Sequence, residues 1–344
     1  MHEASAPPLF GRPLATAPDT ILVFTSSDLV GDGLIKYPFV QAVRAAWPAA
    51  HVTWVTGNGE SAYKDVLAPL VAGLIDEVIS NAGIGLGWHQ LCRRPLKGRH
   101  FDLVIDAQRR VPASCHIRRV PHGTFVSGAF GFLLSDIVPR RPFAKPPRFI
   151  DQLLRLVAVA SGRPPQTGQT PRLDPAMRDL ARRLLPPAGG PYLGLAPGAR
   201  GIHKCWPRDR FVALARAVAQ DSVTPVFLLG PMEADQQTQL AADVEGALFP
   251  LQDTAAIQAF GTTPLLTIAV AEHLDAALAN DSGTSHMIAL ADRPLVSLFG
   301  PTSPAKFAPA ARRLTVIRAQ DFGGREMTDI PFAPVLDRVR EALG

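Results

Sequence analysis

Cysteine is scarce in this 344-residue chain: Cys92, Cys115 and Cys205 are odd in number and far apart. That excludes a disulfide framework and a zinc-ligand spacing, and implies a reducing compartment. No apolar run approaches the roughly 18–20 residues that a membrane span needs, so no transmembrane segment is expected. The first twenty residues are rich in Ala and Pro and carry His2 and Glu3. They lack a basic start followed by an apolar block, and read as a loosely held arm, not as a secretory signal. The Gly-x-x-x-x-Gly-Lys-Ser/Thr of nucleoside triphosphatases is missing, and Gly83-Ile84-Gly85-Leu86-Gly87 lacks the dinucleotide spacing and reads as a loop. No two aspartates are separated by one residue, which removes the usual Mn²⁺ site of metal-dependent sugar transferases. His116, His122 and Cys115 lack tetrahedral-ligand spacing and are expected at the surface or in the core. None of the helix, finger or aromatic-sheet signatures of nucleic-acid recognition accompanies the basic residues, so no nucleic-acid partner is expected.

What is present describes a folded α/β protein. Hydrophobic residues make up 47% and charged residues 19% of the chain, an ordinary balance for a packed core. The length exceeds what one core usually fills, so two domains are expected. The net charge of +5 is modest. Basic residues gather at Arg93-Arg94, Lys97 to Arg99, Arg109-Arg110, Arg118-Arg119 and Arg140 to Arg148, a surface able to attract phosphates or an anionic lipid surface.

Strand and helix patterns alternate along both halves. Short buried-strand runs occupy 21–26, 51–56, 75–79 and 101–106, with a helix over 34–46 stopped by Pro48. The pattern restarts after a segment at 161–175 that is rich in Pro, Gly, Thr and Gln and reads as a linker. Strands are expected at 192–196, 226–230, 276–280 and 295–299, and helices at 208–219, 233–244, 285–291 and 334–343. This rhythm implies parallel sheets covered by helices, with ligands at the carboxyl ends of the strands. The expected division is an arm at 1–20, an acceptor domain at 21–160, a linker at 161–175, a donor domain at 176–325, and a terminal segment at 326–344 whose helix packs back on the first domain.

Three loops could carry chemistry. Asn280-Asp281-Ser282-Gly283-Thr284-Ser285-His286 joins a strand to a helix, and Phe299-Gly300-Pro301-Thr302-Ser303-Pro304 follows the next strand. Gly283 allows a close backbone approach, and the amides at the helix start suit a pyrophosphate. Alternatively, Asp281 and Ser282 simply cap the helix. The second loop, Ala196-Pro197-Gly198-Ala199-Arg200 to His203-Lys204-Cys205-Trp206-Pro207, brings Arg200 and Lys204 as charge for a diphosphate, with Trp206-Pro207 expected to pack and start a helix. The third, Ser26-Ser27-Asp28-Leu29-Val30-Gly31-Asp32-Gly33, sets Asp32 at a helix start as a cap or a general base. Asp28 competes for that role.

Asp281 to His286 with Gly300 to Pro304 resembles the signature of the bacterial heptosyltransferases, glycosyltransferase family nine. Lys204-Cys205-Trp206-Pro207 looks like that family's Lys-x-Trp-Pro, and Gly31-Asp32, with Pro38 six residues on, like its N-terminal Gly-Asp motif. The resemblance implies a GT-B fold of two Rossmann-like domains facing a cleft, an ADP-activated heptose donor, and an acceptor on the lipid A–core region of lipopolysaccharide. It implies metal-independent transfer with inversion. Asp32 would then deprotonate the acceptor, Lys204 would hold the donor phosphates, and the turn from Ser282 to His286 would donate backbone groups to them. Asp281 would stand towards the sugar, and Glu233 would bind the ribose hydroxyls.

Two departures from the family pattern stand out. The loop carrying Asp28-Leu29-Val30 is about two residues longer than the usual form, and Lys36 replaces a small or hydroxylated residue. From Gly83 to Arg148 no acceptor signature is found, which leaves the acceptor-binding residues unassigned. The expected protein is thus a cytoplasmic transferase, peripheral at the inner membrane, that needs no cofactor or metal and meets a phosphorylated glycolipid. A different nucleotide sugar, a polysaccharide or protein acceptor, or a non-catalytic nucleotide-sugar-binding role are the alternatives.

Overall fold

The computed structural model describes residues 13–85, 87, 94–108, 110–140, 144–187 and 190–344. The start of the arm, with His2 and Glu3, and Leu86, Cys92, Arg93, Arg109 and Arg141 lie outside the described residues. The chain divides into two compact units, Met1–Gln169 and Thr170–Gly344, and the division falls inside the segment read as a linker.

The first unit is built on β1 (Thr20–Thr25), α1 (Val30–Ala46), β2 (His51–Thr56), β3 (Glu77–Ile79), β4 (Phe101–Asp106), α2 (Val111–Ile117), β5 (His122–Ser127) and α3 (Phe149–Ser161). Its five strands are parallel in the order β3-β2-β1-β4-β5. Ile21, Leu22, Val23 and Phe24 are fully buried, because a parallel sheet is covered on both faces and its central strands are apolar throughout. α1 begins four residues before the helix read from periodicity, at Val30. Gly31 and Gly33 weaken the helical pattern there, but the Tyr63 hydroxyl donates to the Gly33 carbonyl at 2.6 Å and holds that first turn. α3, which periodicity reading passed over, packs against α1.

The second unit contains α4 (Pro175–Leu184), β6 (Tyr192–Ala196), α5 (Arg208–Gln220), β7 (Thr224–Phe227), α6 (Gln237–Asp243), α7 (Thr254–Phe260), α8 (Pro264–Ala271), β8 (Ala276–Asn280), α9 (Gly283–Leu290), β9 (Leu295–Phe299), α10 (Pro304–Phe307), β10 (Leu314–Arg318) and α11 (Phe332–Leu343). Its sheet is again parallel, in the order β10-β9-β8-β6-β7. The helix expected over 233–244 is in fact a 3₁₀ turn at Ala234–Gln236 followed by α6. Val335 and Val339 of the terminal helix α11 enter the core of the second unit, beside Leu278, Val296 and Leu298.

In each sheet the strand order reverses once, between β1 and β4 in the first and between β6 and β8 in the second. The loops leaving those neighbouring strands diverge to opposite faces, which opens a crevice at the carboxyl edge. The three loops singled out above leave β1, β6 and β8 at these two points.

Candidate active site

In the second unit the loops after β6 and β8 are tied together by Asn280, whose side chain is fully buried. Its Oδ1 accepts the Trp206 amide at 3.1 Å and its Nδ2 donates to the Pro197 carbonyl at 2.6 Å. Trp206 is the packing anchor expected of it, buried against Phe211 and donating Nε1 to the Ile330 carbonyl at 2.9 Å. Its neighbour Lys204 is thereby brought to Asp281, Nζ to Oδ2 at 3.0 Å. Asp281 also accepts the Thr302 hydroxyl at 2.6 Å, so the Gly300 to Pro304 turn joins the same cluster. Gly300 is required there, since a Cβ would stand 2.9 Å from the Met327 sulfur.

Neither Asp281 nor Ser282 caps α9: Ser282 is the N-cap residue and makes no side-chain cap bond. Asp281 is turned to Lys204 and Thr302 instead. The amides opening α9, at Gly283, Thr284 and Ser285, therefore keep their donor capacity at the positive end of the helix dipole. The Ser285 hydroxyl donates to the Ser282 carbonyl at 2.7 Å and tightens this turn. The His286 ring is buried, and burial lowers its pKa to about 4 against an opposing pull from Asp281. It is neutral at pH 7 and brings no cation to the turn.

Glu233 sits after β7 in a niche cleared by two glycines. A Cβ on Gly198 would overlap its carboxyl group, and one on Gly230 would lie 2.8 Å from Oε2. Burial raises its pKa. Arg200 is exposed and stands outside the Lys204–Asp281–Thr302 cluster. Gly198 and Gly230 were not singled out by sequence reading, since a glycine after a strand has many uses and only the fold shows which carboxylate fills its space.

In the first unit the two candidate carboxylates separate cleanly. Asp28 is buried and holds the Lys36 ammonium, with Trp54 Nε1 at 2.6 Å and the Ser61 hydroxyl at 3.2 Å on its other oxygen. Both oxygens of this carboxylate are thus engaged by side chains of the first unit. Asp32 lies on the first turn of α1, exposed, and does not cap it, for the N-cap is Leu29.

At the carboxyl end of β4, Asp106 forms the floor of a cavity of about 330 Å³ whose wall includes Gln108, Phe130, Lys145, Gln152 and Arg155. Asp106 is fully buried, and burial raises its pKa to about 6 against hydrogen bonds that pull it down. Those bonds include the Ser127 hydroxyl at 2.7 Å and the Gln108 amide at 2.9 Å. The buried Gln152 Oε1 has no hydrogen-bond partner. Phe130, Gly131 and Phe132 follow one another with φ of 49°, 64° and 71°, a left-handed run that costs on the order of 1–3 kcal/mol for each non-glycine member and clusters at binding sites. Sequence reading missed this cavity because its wall is assembled from separate segments spread over some fifty residues.

Several basic clusters turn out to be engaged in ion pairs: Arg99 with Glu77, Arg118 with Asp136 and Arg148 with Asp151. Lys145 remains exposed at the cavity. Cys115 and Cys205 are free thiols, His116 is buried in α2, and the His122 ring lies 2.6 Å from the Val120 carbonyl. Among the described residues no helix is long and apolar enough to cross a membrane.

The family model for glycosyltransferase family 9 (heptosyltransferase) matches residues 89–329. The chain belongs to this family. The family 9 chain is 28% identical over 130 residues to lipooligosaccharide heptosyltransferase 2 of Haemophilus influenzae, a match covering 37% of this chain and only 36% of that relative. With lipopolysaccharide heptosyltransferase 1 of Pseudomonas aeruginosa the match is 29% over 342 residues, covering 92% of this chain and 86% of the other. Among solved structures, Escherichia coli heptosyltransferase WaaC with ADP superposes with a TM-score of 0.64 at 20% identity, covering 94% of this chain and 99% of that one. The fold of this family 9 member is therefore the GT-B fold, with two parallel α/β sheets.

Proposed function

We propose that this protein is an inverting, metal-independent transferase that moves a heptose from an ADP-activated donor to the core region of lipopolysaccharide. It would work in the cytoplasm, peripheral to the inner membrane. The observation that carries this reading is the cluster at the β6/β8 reversal, where Lys204, Asp281 and Thr302 meet beside the uncapped start of α9. A lysine and a set of fixed amide dipoles are the groups that stabilise charge on a departing diphosphate. The heptosyltransferase relatives support a heptose donor, and the E. coli heptosyltransferase with ADP supports the nucleotide.

In the proposed reaction the acceptor hydroxyl oxygen attacks the anomeric carbon from the face opposite the diphosphate. Its proton passes to the Asp32 carboxylate, while the bond from the anomeric carbon to the ADP oxygen breaks. Lys204 and the amides of Gly283 to Ser285 offset the charge left on ADP, and Glu233 holds the ribose hydroxyls. The negative charge is then met by protein groups, and no metal is needed for it. The assignment of the base to Asp32 is supported by the commitment of Asp28 to Lys36. The cavity floored by Asp106, with Lys145 and Arg155 in its wall, is the best candidate for holding the acceptor's sugar.

The test is Asp32→Asn with turnover read as ADP release from ADP-heptose, using lipopolysaccharide from a heptose-deficient strain as acceptor. Loss of the base should slow turnover by ~10²–10⁴-fold with ADP affinity unchanged. Turnover equal to wild type would remove Asp32 from the role, and donor binding with no transfer in any variant or wild type would favour a binding protein.

A further inference from the structure

We propose that Lys36 and Asp28 form an internal clamp that sets the Asp32 turn, which makes Lys36 a positioning residue for the transfer; the inference rests on the reading of Asp32 as the base. The two departures from the family pattern, the lengthened loop carrying Asp28 and the unusual Lys36, are joined in the structure. Lys36 Nζ donates to Asp28 Oδ1, to the Thr25 hydroxyl at 2.7 Å and to the Ser27 carbonyl at 3.2 Å. All three ammonium hydrogens are used. The other Asp28 oxygen receives Trp54 and Ser61, and the Asp28 carbonyl accepts the Ala62 amide at 2.8 Å.

The side chains of Lys36 and Asp28 are only 6% and 0% exposed. Such a pair, once formed, resists separation, because removing either partner leaves a buried, uncompensated charge. The lysine reaches from the second turn of α1 back to the end of β1. It therefore ties together both ends of the loop that delivers Asp32. It also stands four residues after Asp32, the spacing at which a lysine ordinarily pairs with a carboxylate on its own helix. Asp28 takes that lysine, and Asp32 forms no ion pair among the described residues. The bonding continues to the cavity: the Thr25 hydroxyl accepts from Gln108 Nε2 at 3.3 Å, and the Gln108 amide donates to Asp106. The loop carrying Asp32 and the cavity floor thus hang on one hydrogen-bonded chain within the first unit.

The experiment compares Lys36→Met, the double variant Asp28→Asn with Lys36→Met, and Asp32→Asn in the full chain. Three quantities are read: amide hydrogen exchange over 26–33, ADP affinity by calorimetry, and ADP release with the substrates named above. In Lys36→Met, exchange over 26–33 should quicken by about tenfold or more as the loop opens locally. The kcat should fall about 100-fold, as for a reacting group displaced by an ångström, with ADP affinity unchanged. The double variant removes the unpaired carboxylate and should recover thermal stability, yet kcat should stay low because Thr25 and Ser27 are no longer tied to the helix. Recovery of kcat together with stability in the double variant would reduce the pair to a structural role and overturn the proposal. Unchanged exchange over 26–33 would overturn it as well, whatever the acceptor supports. Should Asp32→Asn turn over normally, the base assignment fails, while exchange over 26–33 still decides whether the clamp exists.

Discussion

Lys204 shows how much a single side chain can be read in advance. A lysine in a glycine-containing loop after a strand points to an anion, and the structure places it on Asp281, 3.0 Å away, at the β6/β8 reversal. Lys204→Ala should weaken ADP binding by about tenfold, one tenfold step being ~1.4 kcal/mol, while the fold survives because the side chain supports no core. Calorimetry decides this, and an unaltered affinity would remove Lys204 from the phosphate site. Asp106 was not legible in the same way. It closes an ordinary strand, and nothing near it in sequence announces a ligand. Its importance comes from Phe130, Lys145, Gln152 and Arg155, which reach the same space from distant segments.

At the scale of elements, the two strand-to-helix loops of the second unit act as one because Asn280 bonds to both. Asn280→Ala would leave the Trp206 amide and the Pro197 carbonyl buried without this partner. Each such group costs roughly 1–3 kcal/mol, so a loss of roughly 2–6 kcal/mol is expected in urea titrations, with ADP binding weakened as the loops part. A loss below about 1 kcal/mol would mean that the loops are held by other contacts. Element identity was legible for the mostly buried strands, as at His51–Thr56, Phe101–Asp106, Ala276–Asn280 and Leu295–Phe299, but not for the edge strands β5 and β10, which are only partly buried. It failed for α8, Pro-Leu-Leu-Thr-Ile-Ala-Val-Ala, which is apolar on all sides and buried nearly throughout, so it shows no helical period. It also failed at the start of α1, where tertiary bonding to Gly33 overrides two glycines.

Across the whole molecule, the two units should answer acid in opposite ways. The Asp106 pKa is raised from 3.8 to about 6 in the first unit. Its stabilising contribution is complete below 3.8 and disappears as pH rises through about 6. The His286 pKa is lowered from 6.5 to about 4 in the second unit. That contribution is present above 6.5 and is lost as pH falls towards 4. Between about pH 6 and 4 each group changes the stability of its unit by at most ~1.4 kcal/mol per pH unit. Hydrogen exchange followed unit by unit in urea, at pH 6.5 and 4.5, should show Asp106→Asn removing the first unit's gain on acidification and His286→Gln removing the second unit's loss. Variants with the same pH dependence as wild type would refute both assignments.

That this is an α/β chain of two parallel-sheet halves follows from residue pattern alone, because buried parallel strands must be short apolar runs and the glycine, proline and small polar residues between them mark where strands end. The family follows from it as well, through loops whose residues are adjacent along the chain. Which carboxylate is engaged and which is exposed depends on the packing of the folded chain. Asp28 and Asp32 are equivalent in sequence terms, and it is Lys36, Trp54 and Ser61, drawn from three other positions, that separate them. The Asp106 cavity and the glycine niche of Glu233 likewise depend on distances between residues far apart in the chain. Local pattern constrains elements, whereas burial and charge pairing arise only when distant elements meet.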